Sequence, residues 1–417
     1  MSIAFLDLRV VESSAFIAAP LAGLTLAQFG ADVIRVEMIG GGIDYGRLPL
    51  MPSGRSLYWT GLNKNKRSIA IDLKRPEGRE LVQNLVTAGD ERGGILLTNI
   101  VTPWLTHGLL AKVRADVITC TIEGNPDGTT AVDYTVNCAT GYPMMTGTGS
   151  ASGPVNHVLP AWDVACAFQA AFAVVSAVER RRRTGQGAEL RLALADVAFT
   201  MLSHLGLTTE AEVLDQDRPA IGNYIYGAFG RDFATKDGRR VIVAAISGGQ
   251  WTALVKACAM DAAIAELQRV SGRDFMREAE RYESREAIAS IVEAWCAQRT
   301  LAEVTEAFDG NRVCWGLYRT TRDLVQHDAR VGLTNPVWER IETAGIGAHL
   351  AAGTPLRAAG EERSASTPAP LLGQHTDEIL HEVLALDSPA IGRLHDAGVV
   401  AGPERDPSLQ DRQGGRT

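Results

Sequence analysis

The stretch AFIAAPLAGLTLAQFGADVIRVE, residues 15–37, decides the fold class. Residues 15–29 are apolar and rich in alanine and leucine, which predicts a helix. Gly30 is placed to end that helix, because glycine readily adopts the left-handed conformation of a helix C-terminus. In residues 31–37 β-branched side chains recur at alternate positions, which predicts a strand. A helix that leads at once into a strand is typical of α/β proteins.

The same alternation continues through the first 125 residues. Pro76 opens an amphipathic helical pattern, EGRELVQNLV, and the runs GILLTNI (94–100) and VITCTIEG (117–124) indicate buried strands. Such a series predicts a parallel sheet with right-handed crossovers. Because no G-x-G-x-x-G follows the first strand, we expect a Rossmann-like sheet without the dinucleotide fingerprint.

The remainder of the chain predicts a second domain, since 417 residues exceed what one ordinary core accommodates. Residues 163–183 form the longest helical pattern and end in four arginines, which we interpret as a solvated last turn. Two strand-like runs within residues 223–245 are joined by the hairpin signal Lys236-Asp237-Gly238. The predicted boundaries are a first part of the large domain at 1–200, a linker at 201–222, a small α/β domain at 223–325, a return linker at 326–370, a C-terminal part of the large domain at 371–400 and a disordered tail at 401–417.

Composition excludes several classes of function. The net charge of −8 favours neither nucleic acid nor an anionic membrane as a partner. The six cysteines are irregularly spaced and form no C-x-x-C, so we expect no metal. The first residues carry no basic n-region, and no charge-free apolar run reaches the roughly 20 residues that a spanning helix needs. We therefore predict a cytoplasmic protein.

Three ordered stretches carry a family resemblance. Residues 6–37, 65–79 (NKRSIAIDLKRPEGR) and 369–380 (APLLGQHTDEIL) resemble the signature stretches of class III CoA-transferases, a family that includes the α-methylacyl-CoA racemases. The resemblance implies a two-domain subunit whose large domain binds CoA, in an interlocked homodimer. It also implies that CoA arrives as part of an acyl-CoA thioester substrate, with no separate cofactor.

Asp163, in the stretch NHVLPAWDVACAF, is the candidate nucleophile. From the pattern alone, an aspartate that opens an apolar helix is usually a helix cap. The resemblance instead implies that this carboxylate attacks the thioester and carries CoA as an aspartyl thioester. A helix N-terminus favours the anionic form that such an attack requires.

The resemblance also implies a set of CoA-binding residues. Basic members of this set would supply the charge that the CoA phosphates need, which a net-acidic protein must provide locally. From the pattern alone, basic residues before a strand are commonly solvated. At two positions where some family members have a basic residue, this chain has Met38 and Ala131 instead. The predicted set is Ala18, Ala19, Pro20, Lys64, Lys66, Arg67, Ile71, Lys74, Asn99 and Ile100.

The sequence favours CoA transfer over racemisation. Racemases of the family pair the aspartate with a histidine about 30 residues upstream, since moving an α-proton needs an acid and a base on opposite faces. Residues 128–141 contain no histidine. His157 lies closer to Asp163, where we interpret it as a surface or packing residue.

Further stretches, among them IGGGIDYGR (39–47), VDYTVN (132–137) and RPAIGNYIYGAFGRDF (218–233), resemble members that move CoA between the two carboxyl groups of mesaconate. That activity belongs to the 3-hydroxypropionate pathway of carbon assimilation. The alternatives are transfer to a separate dicarboxylic acid and a non-catalytic CoA-binding relative. We expect Arg47 or Arg231 to bind the free carboxylate, unless both form surface ion pairs. The candidate substrate residues are Arg47, Tyr142, Tyr224, Tyr226 and Arg231.

Overall fold

The computed structural model describes residues 5–149 and 153–409. The strands are β1 Arg9–Ser13, β2 Asp32–Met38, β3 Arg67–Ile71, β4 Ile95–Thr98, β5 Ile118–Glu123, β6 Ala188–Ala193, β7 Phe229–Ala234, β8 Arg240–Ala245, β9 Trp315–Leu317, β10 Trp338–Thr343, β11 Gly347–Ala352 and β12 Val400–Ala401. The helices are α1 Ala18–Gln28, α2 Leu57–Asn63, α3 Pro76–Thr87, α4 His107–Val113, α5 Asp133–Ala139, α6 Tyr142–Met145, α7 Ala161–Thr184, α8 Leu194–His204, α9 Leu207–Leu214, α10 Gly248–Ala257, α11 Asp261–Ser271, α12 Glu278–Glu283, α13 Arg285–Ala297, α14 Leu301–Gly310, α15 Thr321–His327, α16 Thr376–Leu384 and α17 Ser388–Asp396.

The chain divides into two compact units. Unit 2 comprises residues 141–156 and 217–328, and unit 1 comprises the rest. The predicted first part of the large domain, residues 1–200, therefore loses the segment 141–156 to unit 2. No sequence signal marks that segment, because its short helix α6 has no pattern that distinguishes it from its neighbours.

Unit 1 is built on a seven-stranded sheet in the order β12-β3-β2-β1-β4-β5-β6. Neighbouring strands are parallel except for β12, which runs antiparallel to β3. The predicted α/β class with a Rossmann-like sheet is confirmed. The strand order reverses direction between β1 and β4, and the crevice at the carboxyl ends of such strands is where open α/β sheets bind ligands.

Residues 15–37 fold into the expected helix and strand, and the structure shows why two of their glycines are needed. Gly30, with φ of 103°, ends the turn between α1 and β2. A Cβ at Gly23 would lie 1.7 Å from Glu12 Oε2, so only glycine lets α1 pack this closely on β1. All five residues of β1 are buried, so the central strand lacks the alternating pattern by which strands are recognised.

Helix α7 places its N-terminus at the carboxyl edge of this sheet. At the other end of the helix, buried Arg181 donates to the carbonyl oxygens of Gly93 and Gly94, just before β4 begins. The interpretation of the arginine run as a solvated turn is therefore wrong for Arg181. Among the described helices, α7 alone has the length and composition to cross a membrane, and within unit 1 it packs on α1 and β5.

Unit 2 is an antiparallel sheet, β7-β8-β9, with α10, α12 and α13 packed against it and with α11 and α14 packed on α10. The predicted hairpin at Lys236–Gly238 joins β7 to β8. Phe229, Trp251 and Phe275 are buried in its core with edge-to-face ring contacts. These residues belong to a buried cluster that is distinct from the one around the unit 1 sheet.

Two predicted irregular segments are ordered. The return linker, 326–370, contains the antiparallel hairpin β10–β11. Residues 401–409 of the predicted disordered tail pack on unit 1, where buried Asp406 accepts hydrogen bonds from the Tyr45 hydroxyl at 2.6 Å and the Leu372 amide at 2.8 Å. A polar composition misled the tail prediction, because its anchoring partners lie far away in sequence. Residues 410–417 lie outside the described residues.

Candidate active site

Asp163 lies in the first turn of α7, at the carboxyl edge of the unit 1 sheet. It is not the helix cap: Asp133, from α5, performs that role. Asp133 Oδ2 accepts hydrogen bonds from the Trp162 amide at 2.7 Å and the Asp163 amide at 3.1 Å. The Asp163 carboxylate itself makes no hydrogen bond or ion pair to any residue that the structure describes. It is therefore free for nucleophilic attack.

The surroundings of Asp163 hold a proton on it more tightly than water would. Burial raises the pKa of the Asp163 carboxyl to about 7, the negative charge of Asp133 acts in the same direction, and Arg47 opposes both. The carboxyl therefore releases its proton closer to neutral pH than a free aspartate does. A carboxyl group poised near neutrality in a crevice is typical of catalytic sites.

Arg47 is the cation of this site. Its guanidinium lies 5.2 Å from the centre of the Phe16 ring and 5.0 Å from that of Tyr58. No carboxylate in the described part of the chain forms an ion pair with it. Stacking between two rings therefore holds the charge in place without neutralising it, which leaves it available to an anionic ligand.

Tyr58, in α2, is a site residue that the sequence reasoning missed. Its hydroxyl is buried and has no hydrogen-bond partner among the described residues. Burial raises the pKa of Tyr58 to about 12, although Arg47 opposes this shift, so the hydroxyl keeps its proton at neutral pH. A buried, unpaired donor is costly and is expected where a ligand supplies the acceptor.

A buried charge cluster supports the loop that carries Phe16. Arg35 donates to Glu12 and Glu37, both at 2.8 Å, and reaches Asp44 at 3.4 Å. Asp44 also accepts from the Phe16 amide at 3.0 Å, and Phe16 has the unusual φ of 65°. The cluster thereby fixes a strained loop directly beneath the Arg47 guanidinium.

Five predicted CoA-binding residues lie at the carboxyl ends of the central strands. Ala18, Ala19 and Pro20 begin α1 just after β1, and Asn99 and Ile100 follow β4. Asn99 accepts a hydrogen bond from the Ala15 amide at 2.9 Å and donates one to the Ala15 carbonyl at 2.7 Å. This pair clamps together the two loops that flank the point where the strand order reverses.

Ile71 and Lys74 lie at the carboxyl end of β3, on the same edge of the sheet.

The three other residues of the predicted CoA-binding set form bonds to other groups of the protein. Arg67, at the opposite end of β3, pairs with Asp32 at 2.6 Å and with two glutamates of α16. The structure thus does not bring Arg67 to the edge that carries Asp163.

Lys64 and Lys66 are bound within the protein. Lys64 donates to the Ala352 carbonyl at 2.9 Å. Lys66 is buried, where its ammonium donates to Glu12 at 3.0 Å and to the Pro20 carbonyl at 2.8 Å. Burial lowers the pKa of Lys66 to about 8, against the raising effect of Glu12. Their role as CoA ligands stays a prediction, and the structure shows structural bonds for both.

A model of CoA-transferase family III matches residues 6–376. The chain belongs to CoA-transferase family III. It is 48% identical over 400 residues to a 2-methylfumaryl-CoA isomerase of Chloroflexus aurantiacus, a match that covers 95% of this chain and 98% of that protein. The predicted family and the resemblance to this member are confirmed.

Two more distant relatives and one solved structure also resemble this chain. The transferase is 26% identical to a formyl-CoA:oxalate CoA-transferase of Rhodopseudomonas palustris, over 95% of this chain and 97% of that protein. It is also 26% identical to human succinyl-CoA:glutarate CoA-transferase, over 94% and 89% of the two chains. A CAIB/BAIF family protein from Brucella suis superposes with a TM-score of 0.75 at 23% identity, covering 92% of this chain and all of that one, and so shares the fold.

The other candidate substrate residues of the transferase lie in unit 2. Arg231 donates to the Tyr224 hydroxyl at 3.1 Å and pairs with Glu293 at 3.0 Å, beside a cavity of about 490 Å³. Tyr226 lies with its ring centre 5.3 Å from that of Tyr282, and Tyr142 begins α6. Arg231 is thus an ion-paired arginine, whereas Arg47 is not.

The described residues of the transferase contain no group of three or more histidine, cysteine or acidic side chains that could hold a metal ion. His157 is engaged in packing: its Nε2 lies 3.0 Å from Asn137 Oδ1, the atom that also accepts from the Trp162 indole. The absence of a metal and of a separate cofactor stays a prediction.

Proposed function

We propose that this chain moves CoA from carbon 1 to carbon 4 of mesaconate, converting 2-methylfumaryl-CoA to 3-methylfumaryl-CoA within one active site. The observation that carries the proposal is the unpaired, largely buried Asp163 carboxylate at the head of α7. Identity of 48% over nearly the full lengths of both chains to a protein of that name supports the choice of substrate.

The proposed reaction runs through a covalent intermediate on Asp163. The carboxylate attacks the thioester carbonyl on carbon 1, and CoA leaves as its thiolate, forming a mixed anhydride between Asp163 and mesaconate. The thiolate then attacks the Asp163 carbonyl of the anhydride and expels the mesaconate carboxylate, which leaves an aspartyl-CoA thioester.

The second half of the reaction reverses these bonds at the other end of mesaconate. The carbon 4 carboxylate attacks the aspartyl thioester and releases the thiolate, giving a second mixed anhydride. Attack of the thiolate on carbon 4 then forms the product thioester and returns Asp163 as a carboxylate. No proton or water is consumed, so enclosure rather than acid–base chemistry governs the outcome.

Arg47 and Tyr58 supply the polar recognition that this exchange needs. The unpaired guanidinium of Arg47 binds whichever carboxylate of mesaconate is free, because no protein carboxylate among the described residues competes for it. The protonated, unpaired hydroxyl of Tyr58 donates to the same ligand. Each charged hydrogen bond of this kind contributes about 1.5–3 kcal/mol.

Transfer to a separate free acid is the second candidate, favoured by the names of the relatives at 26% identity. Incubation of the mesaconyl-CoA substrate with carbon-13-labelled free mesaconate separates the two. We expect isomerisation with no label in the thioester pool. Label that enters the thioesters as fast as isomerisation proceeds would establish the intermolecular reaction.

The wider setting is proposed with the activity. We place the enzyme in the cytoplasm, as an interlocked homodimer, in the 3-hydroxypropionate pathway, with CoA carried only by its substrate. Light scattering coupled to size-exclusion chromatography checks the dimer, which is expected at twice the 44.7 kDa chain mass. A monomer with full activity would overturn the interlocked assembly.

A further inference from the structure

Asp44 joins the two loops that bring Phe16 and Arg47 together. Its carboxylate oxygen Oδ2 accepts a hydrogen bond from the Phe16 amide at 3.0 Å. Its backbone carbonyl accepts a hydrogen bond from the Arg47 amide at 3.2 Å, which closes a tight turn. A single residue therefore holds both members of a cation–π contact that are distant from each other in sequence.

The Phe16 side of this contact is strained. Phe16 has φ of 65°, a left-handed conformation that a residue with a large side chain rarely adopts. Phe16 is also 37% exposed, so burial of its ring does not hold the loop in place. The hydrogen bond to Asp44 stabilises this conformation. Without that bond we expect Phe16 to relax and its ring to leave the Arg47 guanidinium.

The Asp44 side chain is fixed by the buried charge cluster. Asp44 is 2% exposed, and its Oδ2 lies 3.4 Å from Arg35 Nη2. Arg35 is anchored in turn by Glu12 and Glu37, both at 2.8 Å. Arg35 thereby engages the acid that stands nearest to Arg47 in the sequence, and Arg47 keeps its charge for a ligand.

The Tyr58 side of the Arg47 contact is fixed independently of Asp44. Ser56 Oγ donates to the Arg47 carbonyl at 2.6 Å, and the same oxygen accepts from the Trp59 amide at 3.1 Å as the cap of α2. Tyr58 lies in the first turn of this helix, so the cap positions its ring beside Arg47. A change at Asp44 should therefore release Phe16 and leave the position of Tyr58 intact.

We propose that Asp44 is a positioning residue for carboxylate recognition: by holding Phe16 against Arg47, it confines the guanidinium to the place where it binds the free carboxylate of the substrate. This inference rests on the proposed function and deepens it, because it names the residue that makes the site select an acyl group with a second carboxylate. A confined guanidinium loses less side-chain entropy when it binds a planar carboxylate.

The test compares two thioesters that differ at the recognised group. Tiglyl-CoA carries a methyl group where 2-methylfumaryl-CoA carries its free carboxylate. Both are titrated calorimetrically into the full-length protein with Asp163→Ala, which blocks turnover and serves as the parent. We expect the parent to bind 2-methylfumaryl-CoA about 10-fold or more tightly than tiglyl-CoA, the affinity that one charged hydrogen bond contributes.

Asp44→Ala, added to the parent, should weaken binding of 2-methylfumaryl-CoA about 10-fold and leave binding of tiglyl-CoA unchanged, so that the preference for the carboxylate is lost. Asp44→Asn keeps an oxygen for the Phe16 amide and should recover most of the preference. Asp32→Ala is the matched control, because it breaks an aspartate–arginine pair at the opposite edge of the sheet. It should keep the full preference.

Phe16→Gly tests the same link at its exposed end. Glycine keeps the amide and adopts positive φ without strain, and the substitution removes the ring from Arg47. This variant should lose the preference as Asp44→Ala does, and the two changes combined should lose no more than either alone, because both act on one contact.

Each outcome decides the inference or the function on which it rests. Full preference for the carboxylate in folded Asp44→Ala, or in Phe16→Gly, overturns the inference. An equal loss of affinity for both thioesters also overturns it, since that result shows a general structural role for Asp44. A parent protein that binds the two thioesters equally contradicts the carboxylate recognition in the proposed function instead.

Discussion

The two edges of the unit 1 sheet differ in how their charges are satisfied. At the amino edge Arg67 pairs with three acids, Arg9 with Asp90 and Arg114 with Asp116. At the carboxyl edge Asp163 and Arg47 form no ion pair with a described residue, and the Tyr58 hydroxyl is buried without a partner. Paired charges stabilise the fold, whereas unpaired ones await a ligand. The difference supports the proposal that the site lies at the carboxyl edge.

Removal of the nucleophile gives the largest expected effect. Asp163→Ala should lower kcat by about 10⁴-fold or more, because no other described side chain replaces the covalent step. Asp196→Ala, which removes an exposed first-turn carboxylate of α8, is the matched control and should retain full activity. Steady-state isomerisation of mesaconyl-CoA measures both, and substantial turnover by Asp163→Ala would refute the assignment.

Two arginine variants compare the edges directly. Arg47→Gln should lower kcat/KM about 10- to 100-fold with an unchanged melting temperature, because its charge serves the ligand and not the fold. Arg67→Gln should lower the melting temperature and leave kcat/KM unchanged, because it breaks pairs with Asp32 and α16. Steady-state kinetics and thermal unfolding of both variants test these roles. The reverse pattern would show that Arg47 stabilises the fold and that Arg67 binds the ligand.

Tyr58→Phe tests a neutral group on the carboxyl edge. Loss of one hydroxyl donor should lower kcat/KM about 10-fold, since the ligand loses one hydrogen bond while the ring that stacks on Arg47 is kept. The free protein should become slightly more stable, because a buried unpaired hydroxyl is removed. Unchanged kinetics together with lower stability would mean that the hydroxyl has a structural partner instead.

The smallest expected effect is a shift in pH dependence. Attack requires ionised Asp163, so kcat/KM should rise with pH and level off above the pKa of about 7. Asp133→Asn removes a charge that raises this pKa and keeps an oxygen that accepts from the α7 amides. The rise of kcat/KM with pH should therefore move to lower pH. Arg47→Gln should move it to higher pH. A pH dependence of kcat/KM that is unchanged in both variants would contradict this electrostatic explanation.

The parts of the molecule that can be predicted from the sequence are those that depend on local pattern. Residues 15–37 predict their helix and strand because the spacing of apolar side chains is a local property. Asp163 follows from the family resemblance, and its pattern alone suggested a cap. That role belongs to Asp133, 30 residues earlier, and only the packing of α5 against α7 brings the two together.

The charges whose surroundings the sequence does not indicate are those whose partners are distant in sequence. Lys66 and Arg67 stand beside each other in a basic motif, yet one lies in a buried cluster and the other on the opposite edge from Asp163. A basic residue carries no local sign of whether an acid already binds it. Tyr58 was missed for the converse reason, since an unpaired hydroxyl is recognised only when its surroundings are known.

If Asp163 carries the acyl and CoA groups in turn, it can be trapped with hydroxylamine during turnover. Hydroxylamine added with mesaconyl-CoA should convert Asp163 to its hydroxamate, detected by mass spectrometry of the peptide that contains it, and only when substrate is present. Asp196 should stay unmodified under the same conditions. Continued isomerisation with an unmodified Asp163 peptide would contradict the covalent mechanism.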